Sequence, residues 1–220
     1  MQGPIIVINP NSNDAVTQGL NDALVAYQLE GGPNIECVTN LKGPFGIENQ
    51  IDSDSVIPQI LNVITQRNDA SSFVIACYSD PGIDACRSIS HVPVYGILES
   101  GVLMALSRGD QFGVLAIGIS SVKRHTKYMR KMGVLERCIG ERPLNLTVEE
   151  TVSGTQTFDK LLFTGGQLVD DGADVVILGC AGLAKHRLAL EKSLNVPVID
   201  PTQAAVGMAL GNFLASSSRS

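Results

Sequence analysis

The stretch VPVYGILESGVLMAL (92–106) returns as VPVIDPTQAAVGMAL (196–210), with seven identities in fifteen positions. A match of this length within one chain marks an internal repeat, and a repeat constrains the fold before any single element is read. Each copy is preceded by an apolar run that ends in a cysteine and small, turn-forming residues. FVIACYSDPG (73–82) precedes the first and VVILGCAGLA (175–184) the second, which places Cys77 and Cys180 15 and 16 residues upstream of their copies. Further upstream, IIVINPNS (5–12) and FGVLAIGISS (112–121) are each an apolar strand running into a polar loop, which extends the correspondence without close identity.

Short apolar, β-branched runs recur at 5–8, 34–38, 73–77, 92–97, 112–118, 175–179 and 196–200. Between them lie segments with helical spacing, at 13–29, 53–66, 82–90, 99–107, 121–133, 155–171, 183–193 and 201–214. Strands that alternate with helices and are apolar throughout predict an α/β fold with parallel sheets covered on both faces. With the repeat, the expectation is two pseudo-symmetric lobes, each a mainly parallel sheet flanked by helices, with the active site in the cleft between them. The lobes are predicted as 1–97 plus 207–220, and 98–206. Ser12 and Asn13, then Asp52 and Ser53, are the expected starts of the first two helices. The tail ASSSRS (215–220) is expected to fray.

A chain of 220 residues with 44% hydrophobic and 17% charged residues can bury a substantial core, so long disordered segments are not expected. The formal charge of −6 offers no basic stripe for a phosphate backbone, which argues against nucleic acid as a partner. No stretch approaches the length of a membrane helix, and the start MQGPIIVINPNS lacks the basic and apolar regions of a signal peptide. Five cysteines, an odd number without the short spacings of a secreted framework, fit free thiols in a reducing cytoplasm. A lone cysteine after an apolar strand is usually packing, and that is the reading for Cys37, Cys86 and Cys138. For Cys77 and Cys180 the matched strand-end placement points instead to function, because ligands bind at the carboxyl edge of parallel sheets.

INPNS (8–12), GPFGIE (43–48), CYSDPGIDACR (77–87), VPVYGILES (92–100) and GCAGLA (179–184) together resemble the aspartate/glutamate/hydantoin racemase superfamily, most closely its hydantoin and allantoin racemase branch. The resemblance spans nearly the whole chain. It implies a cofactor-independent homo-oligomeric racemase acting on a small molecule, with Cys77 and Cys180 as an acid/base pair on opposite faces of the substrate. One thiolate removes a proton and the opposite thiol returns one. A position ahead of a helix is expected to lower each thiol's pKa. Small neighbours, Ser79 and Gly82 on one side and Gly179, Ala181 and Gly182 on the other, let backbone N–H groups approach a developing enolate. Asn11, Ser12, Ser120 and Ser121 are the expected polar contacts of the substrate, Tyr78 lies beside the first thiol, and Phe45 and Ile47 supply an apolar wall. Ser12 and Ser121 read equally as helix N-caps, and Glu99 as a carboxylate of a helix's first turn.

The remaining signals are weaker. His91, His125 and His186 show no metal-ligand spacing, and no phosphate-binding glycine loop or serine elbow is present. The basic run SVKRHTKYMRK (121–131) reads as a solvated helix face, with anion binding by Lys123 or Arg124 as its alternative. His186 reads as a surface side chain. The rival activities are cis–trans isomerisation of an unsaturated dicarboxylate, amino-acid racemisation and decarboxylation. Few basic residues in the matching loops weigh against the dicarboxylate. Outside enzymes, the rivals are a small-molecule sensor and a redox protein.

Overall fold

The computed structural model describes residues 3–217. The first half runs β1 (Ile5–Asn9), α1 (Asp14–Leu24), β2 (Ile35–Thr39), α2 (Gln50–Ser55), α3 (Ile57–Gln66), β3 (Ser72–Ile75), α4 (Ile83–Ile89), β4 (Val94–Gly96) and α5 (Ile97–Leu106). The second runs β5 (Phe112–Ala116), α6 (Ile119–Met132), β6 (Cys138–Pro143), α7 (Val148–Ser153), α8 (Thr157–Asp170), β7 (Val175–Gly179), α9 (Arg187–Leu194), β8 (Val198–Ile199) and α10 (Pro201–Ser217).

The strands form two four-stranded sheets, ordered β2-β1-β3-β4 and β6-β5-β7-β8, and every pairing is parallel. Their registers correspond. Phe73 lies opposite Val94 in the first sheet and Val176 opposite Val198 in the second. Moving 103 positions along the chain carries Phe73 to Val176 and likewise Cys77 to Cys180. The two thiols therefore leave equivalent strands at equivalent heights.

Alternation along the strands sorts the core. Ile5, Val7 and Val74 face a central cluster together with Val114, Val175 and Ile177 of the other sheet, while Ile6, Ile8, Phe73 and Ile75 turn outward onto α3 and α4. Leu115, Val176 and Leu178 turn outward onto α8 and α9. α5 and α10 fill the space between the sheets. α5 follows β4 of the first sheet but packs on β7 of the second, and α10 follows β8 but packs on β3 of the first. The two helices approach so closely that a Cβ on Gly101 would stand 2.9 Å from the Pro201 Cβ. Among the described residues no helix is long and apolar enough to cross a membrane.

Local chemistry moves several boundaries. The helix expected over 53–66 is two helices: Asn49 and Asp52 cap the first in a reciprocal box, and Pro58 at the start of α3 breaks the continuation. Asn13, whose side chain accepts from the Ala15 N–H, caps α1 in place of Ser12. β6 and α7 were not anticipated. The segment expected to fray continues α10 through Ser217, and 218–220 lie outside the described residues.

Candidate active site

At the end of β3 the Ala76 N–H still pairs with Ile8 O, at 2.8 Å. The chain then turns on the Cys77 carbonyl, which accepts from the N–H groups of Ser79 and Asp80 at 2.7 and 3.0 Å. Asp80 adopts a left-handed φ of 44°, uncommon for a residue other than glycine. Its two carboxylate oxygens accept the Leu98 and Glu99 N–H groups, both at 2.9 Å, and so cap α5. Gly96 makes the space, because a Cβ there would stand 2.2 Å from the Asp80 carboxyl carbon. On the opposite lobe Cys180 follows β7 directly and opens a 3-10 turn, Ala181–His186, with the Leu183 N–H on the Cys180 carbonyl at 3.2 Å. A Cβ on Gly182 would meet Thr151 Oγ1 at 2.2 Å, so this turn reaches α7 only with glycine.

Both thiols are half-buried and line one cavity. Of the other expected site residues, Asn11, Ile47, Tyr78, Ser79, Ser121, Ala181 and Gly182 line it as well. Asn11 accepts the Asn13 N–H on Oδ1, and its Nδ2 has no protein partner among the described residues. Ser12, Phe45 and Ser120 lie elsewhere: the Ser12 N–H bonds Pro44 O, Phe45 is 55% exposed, and the Ser120 hydroxyl donates to Glu48 O. Ser121, the third residue of α6, does not cap that helix, which begins from Gly118 without a side-chain cap.

The expectation of lowered thiol pKa values is reversed. Burial pushes Cys77 up to about 12, and the charge of Cys180 raises it further, while Arg124 and the Ser79 hydroxyl act in the opposite direction. Burial also pushes Cys180 up, against the Gly182 N–H that favours its thiolate. The helix fields are weaker than supposed because Cys77 lies six residues ahead of the seven-residue α4 and Cys180 meets a 3-10 turn. Two chains of donors reach the sulfurs unequally. Ser79 Oγ accepts from Arg124 Nε at 3.4 Å and keeps its own proton for Cys77. The Thr151 hydroxyl beside Cys180 gives its proton to Val148 O at 2.6 Å, and one hydroxyl proton serves one acceptor.

Two residues of α6, assigned from sequence to a solvated face, line the cavity. Arg124 donates to Ser79 Oγ, Glu48 O, Ser120 O and Ser121 Oγ, and among the described residues no carboxylate pairs with it. It supplies a cation at the cavity, where the loop sequences themselves offer few basic residues. His125 is 2% exposed, bonds the equally buried Glu141 through Nδ1, and meets the Tyr78 ring edge-on at 4.9 Å between centroids. The missed signal was a stripe: Ser121, His125 and Met129, spaced by four, are the buried residues of the helix.

Cys86 is buried in the outer core of the first lobe, and Cys37 and Cys138 pack at the edge of the central one, away from the cavity. Glu99 pairs with Arg87 at 3.0 Å and accepts the Tyr128 hydroxyl at 3.2 Å, so it braces α5 against its neighbours. His186 is half-buried against Phe158, with a buried Nε2 that has no partner among the described residues. Among the described residues no group of three or more His, Cys, Asp or Glu side chains is placed to hold a metal ion.

Comparison with known proteins places this geometry. A family model described as Asp/Glu/Hydantoin racemase matches residues 5–209. Hydantoin racemase of Paenarthrobacter aurescens is 31% identical over 214 residues, covering 93% of this chain and 89% of that protein. Hydantoin racemase of Pseudomonas sp. (strain NS671) is 32% identical over 210 residues, covering 93% and 84%. Among solved structures, allantoin racemase from Klebsiella pneumoniae superposes with a TM-score of 0.92 at 28% identity, covering 98% of this chain and 89% of that one.

Proposed function

The chain belongs to the Asp/Glu/Hydantoin racemase family, and from that premise we propose that it inverts the stereocentre of a 5-substituted hydantoin or of allantoin by proton transfer between Cys77 and Cys180, without a cofactor. One observation carries this reading: two thiols at equivalent registers of two like sheets share a single cavity. The proton at the ring's substituted carbon is acidic because a carbonyl stands next to it. One cysteine, as thiolate, takes that proton and becomes a thiol. The electron pair passes to the carbonyl oxygen as an enolate, and the opposite thiol delivers its proton to the other face of the carbon, ending as thiolate. The uncommitted Asn11 Nδ2 and the small residues Ala181 and Gly182 border the space for the ring.

The test is solvent-deuterium exchange followed by NMR together with polarimetry, on single enantiomers of allantoin and of several 5-substituted hydantoins. The expected result is deuterium at the substituted carbon with loss of optical rotation. Exchange with none of them overturns the reading.

Arg124 favours a second reading, isomerisation of an unsaturated dicarboxylate, since that substrate needs a cation in the cavity. Conversion of maleate to its trans isomer, without exchange in any hydantoin, is the outcome that would select it.

A further inference from the structure

We infer that the molecule this site takes is an anion, drawn in over a basic shoulder made by one face of α6. Its chemistry rests on the racemase reading; its charge does not. The cavity holding the thiols adjoins two basins, and Arg124 lines all three. One basin also shares Ser79 with the cavity and continues past Ser53 and Tyr128 to Lys127. Lys123 and Lys127 project from successive turns of α6 into these basins, and both are exposed.

None of the three cations is neutralised by a carboxylate among the described residues. Lys131, at the far end, is the one basic side chain of this shoulder that is paired, with Asp84. Of the acids nearby, Glu48 accepts the Val148 N–H on Oε1, Asp52 accepts the N–H groups of Glu48 and Asn49, and Glu99 pairs with Arg87, so that none of them bonds Lys123, Arg124 or Lys127. Arg124 is held by neutral acceptors alone, through four of its five N–H groups. In a chain of net charge −6, unpaired positive charge gathered at one cleft mouth focuses the field on an incoming anion. The spare N–H of Arg124 and the ammonium of Lys127 match a carboxylate on the substituent of the ring. The substrate class is therefore a hydantoin whose 5-substituent ends in a carboxylate, with the ring between the thiols and the carboxylate beyond Arg124.

The experiment labels the whole protein with iodoacetamide and measures protection of Cys77 by mass spectrometry of the peptide that carries it. The probes are 5-(2-carboxyethyl)hydantoin and its neutral counterpart 5-(2-carbamoylethyl)hydantoin. The acid should protect at about tenfold lower concentration than the amide at low ionic strength. Raising the salt to about 0.5 M should erase that preference, and replacing Lys123→Gln together with Lys127→Gln should shrink it, while protection by the amide stays unchanged in both. Equal protection by the two compounds, protection by neither, or a preference that survives both salt and the substitutions overturns the inference. Protection requires no turnover, so an acid that protects without being racemised would sink the racemase reading alone.

Discussion

At Cys77 burial and the neighbouring thiol act together, and the sum is a sulfur that ionises only with help. A negative charge on one thiol raises the other, so once one thiolate has formed the opposite sulfur keeps its proton, the arrangement that an inversion needs at its start. Replacing either sulfur removes one of the two proton carriers. Cys77→Ser and Cys180→Ser should each cut racemisation by about a thousandfold or more while the far-ultraviolet circular dichroism stays that of the parent. Cys86→Ser, in a fully buried position outside the cavity, should retain turnover and lose only stability. Substantial activity in either of the first two variants would remove that residue from the pair. These cysteines were legible in the sequence because the repeat put them in register. Arg124 and His125 were not, because composition averaged a run whose single buried face only helical spacing separates from its solvated one.

Among the elements, α5 and α10 are equivalent helices that reach the same cap by different routes. α5 receives Asp80 from the cysteine loop, with Gly96 making room. α10 carries its own, because the repeat places Asp200 where the first half has Gly96, and the Asp200 Oδ1 accepts the Gln203 N–H at 2.7 Å. Burial raises both carboxyls, Asp80 to about 7 and Asp200 to about 6, over the N–H donors that oppose it. In the unfolded chain each titrates near 4. The folded state therefore holds two protons that the unfolded state has released, and the stability they contribute is full below pH ~4 and lost as pH rises through 6 and 7. The melting temperature should fall between about pH 5 and pH 8, and Asp200→Asn should remove part of that slope, on the order of 2 kcal/mol at neutral pH. A slope identical in the variant would show that Asp200 is not its source. The apolar central strands were legible for the same reason that they are central, being covered on both faces. β6, CIGERP, is an edge strand, half-exposed and partly charged, and its irregular register on β5 leaves no periodicity to detect. α7 is too short for a hydrophobic stripe, though the box of Thr147 and Glu150 marks its start.

At the scale of the whole molecule, the exchange of α5 and α10 between sheets makes one core out of two halves. The repeat revealed the halves, and α5 carries buried residues around most of its circumference, the mark of a helix packed on more than one side. A chain cut within 107–111 should yield two fragments that are each unfolded or aggregated alone, since each would expose the helix meant for its partner. Refolded together they should recover the parent circular dichroism and elute as one species of the parent mass. A fragment that folds by itself would show that the central core is not shared in this way.

The same exchange bears on ancestry. A half-length forebear could have closed its core only by trading helices with a second copy, and fusion of the two genes would have fixed that embrace while releasing each half from identity. The twinned scaffold preserved a thiol at both strand ends. Divergence then left a guanidinium beside one and none beside the other, so that a symmetric frame carries an asymmetric charge.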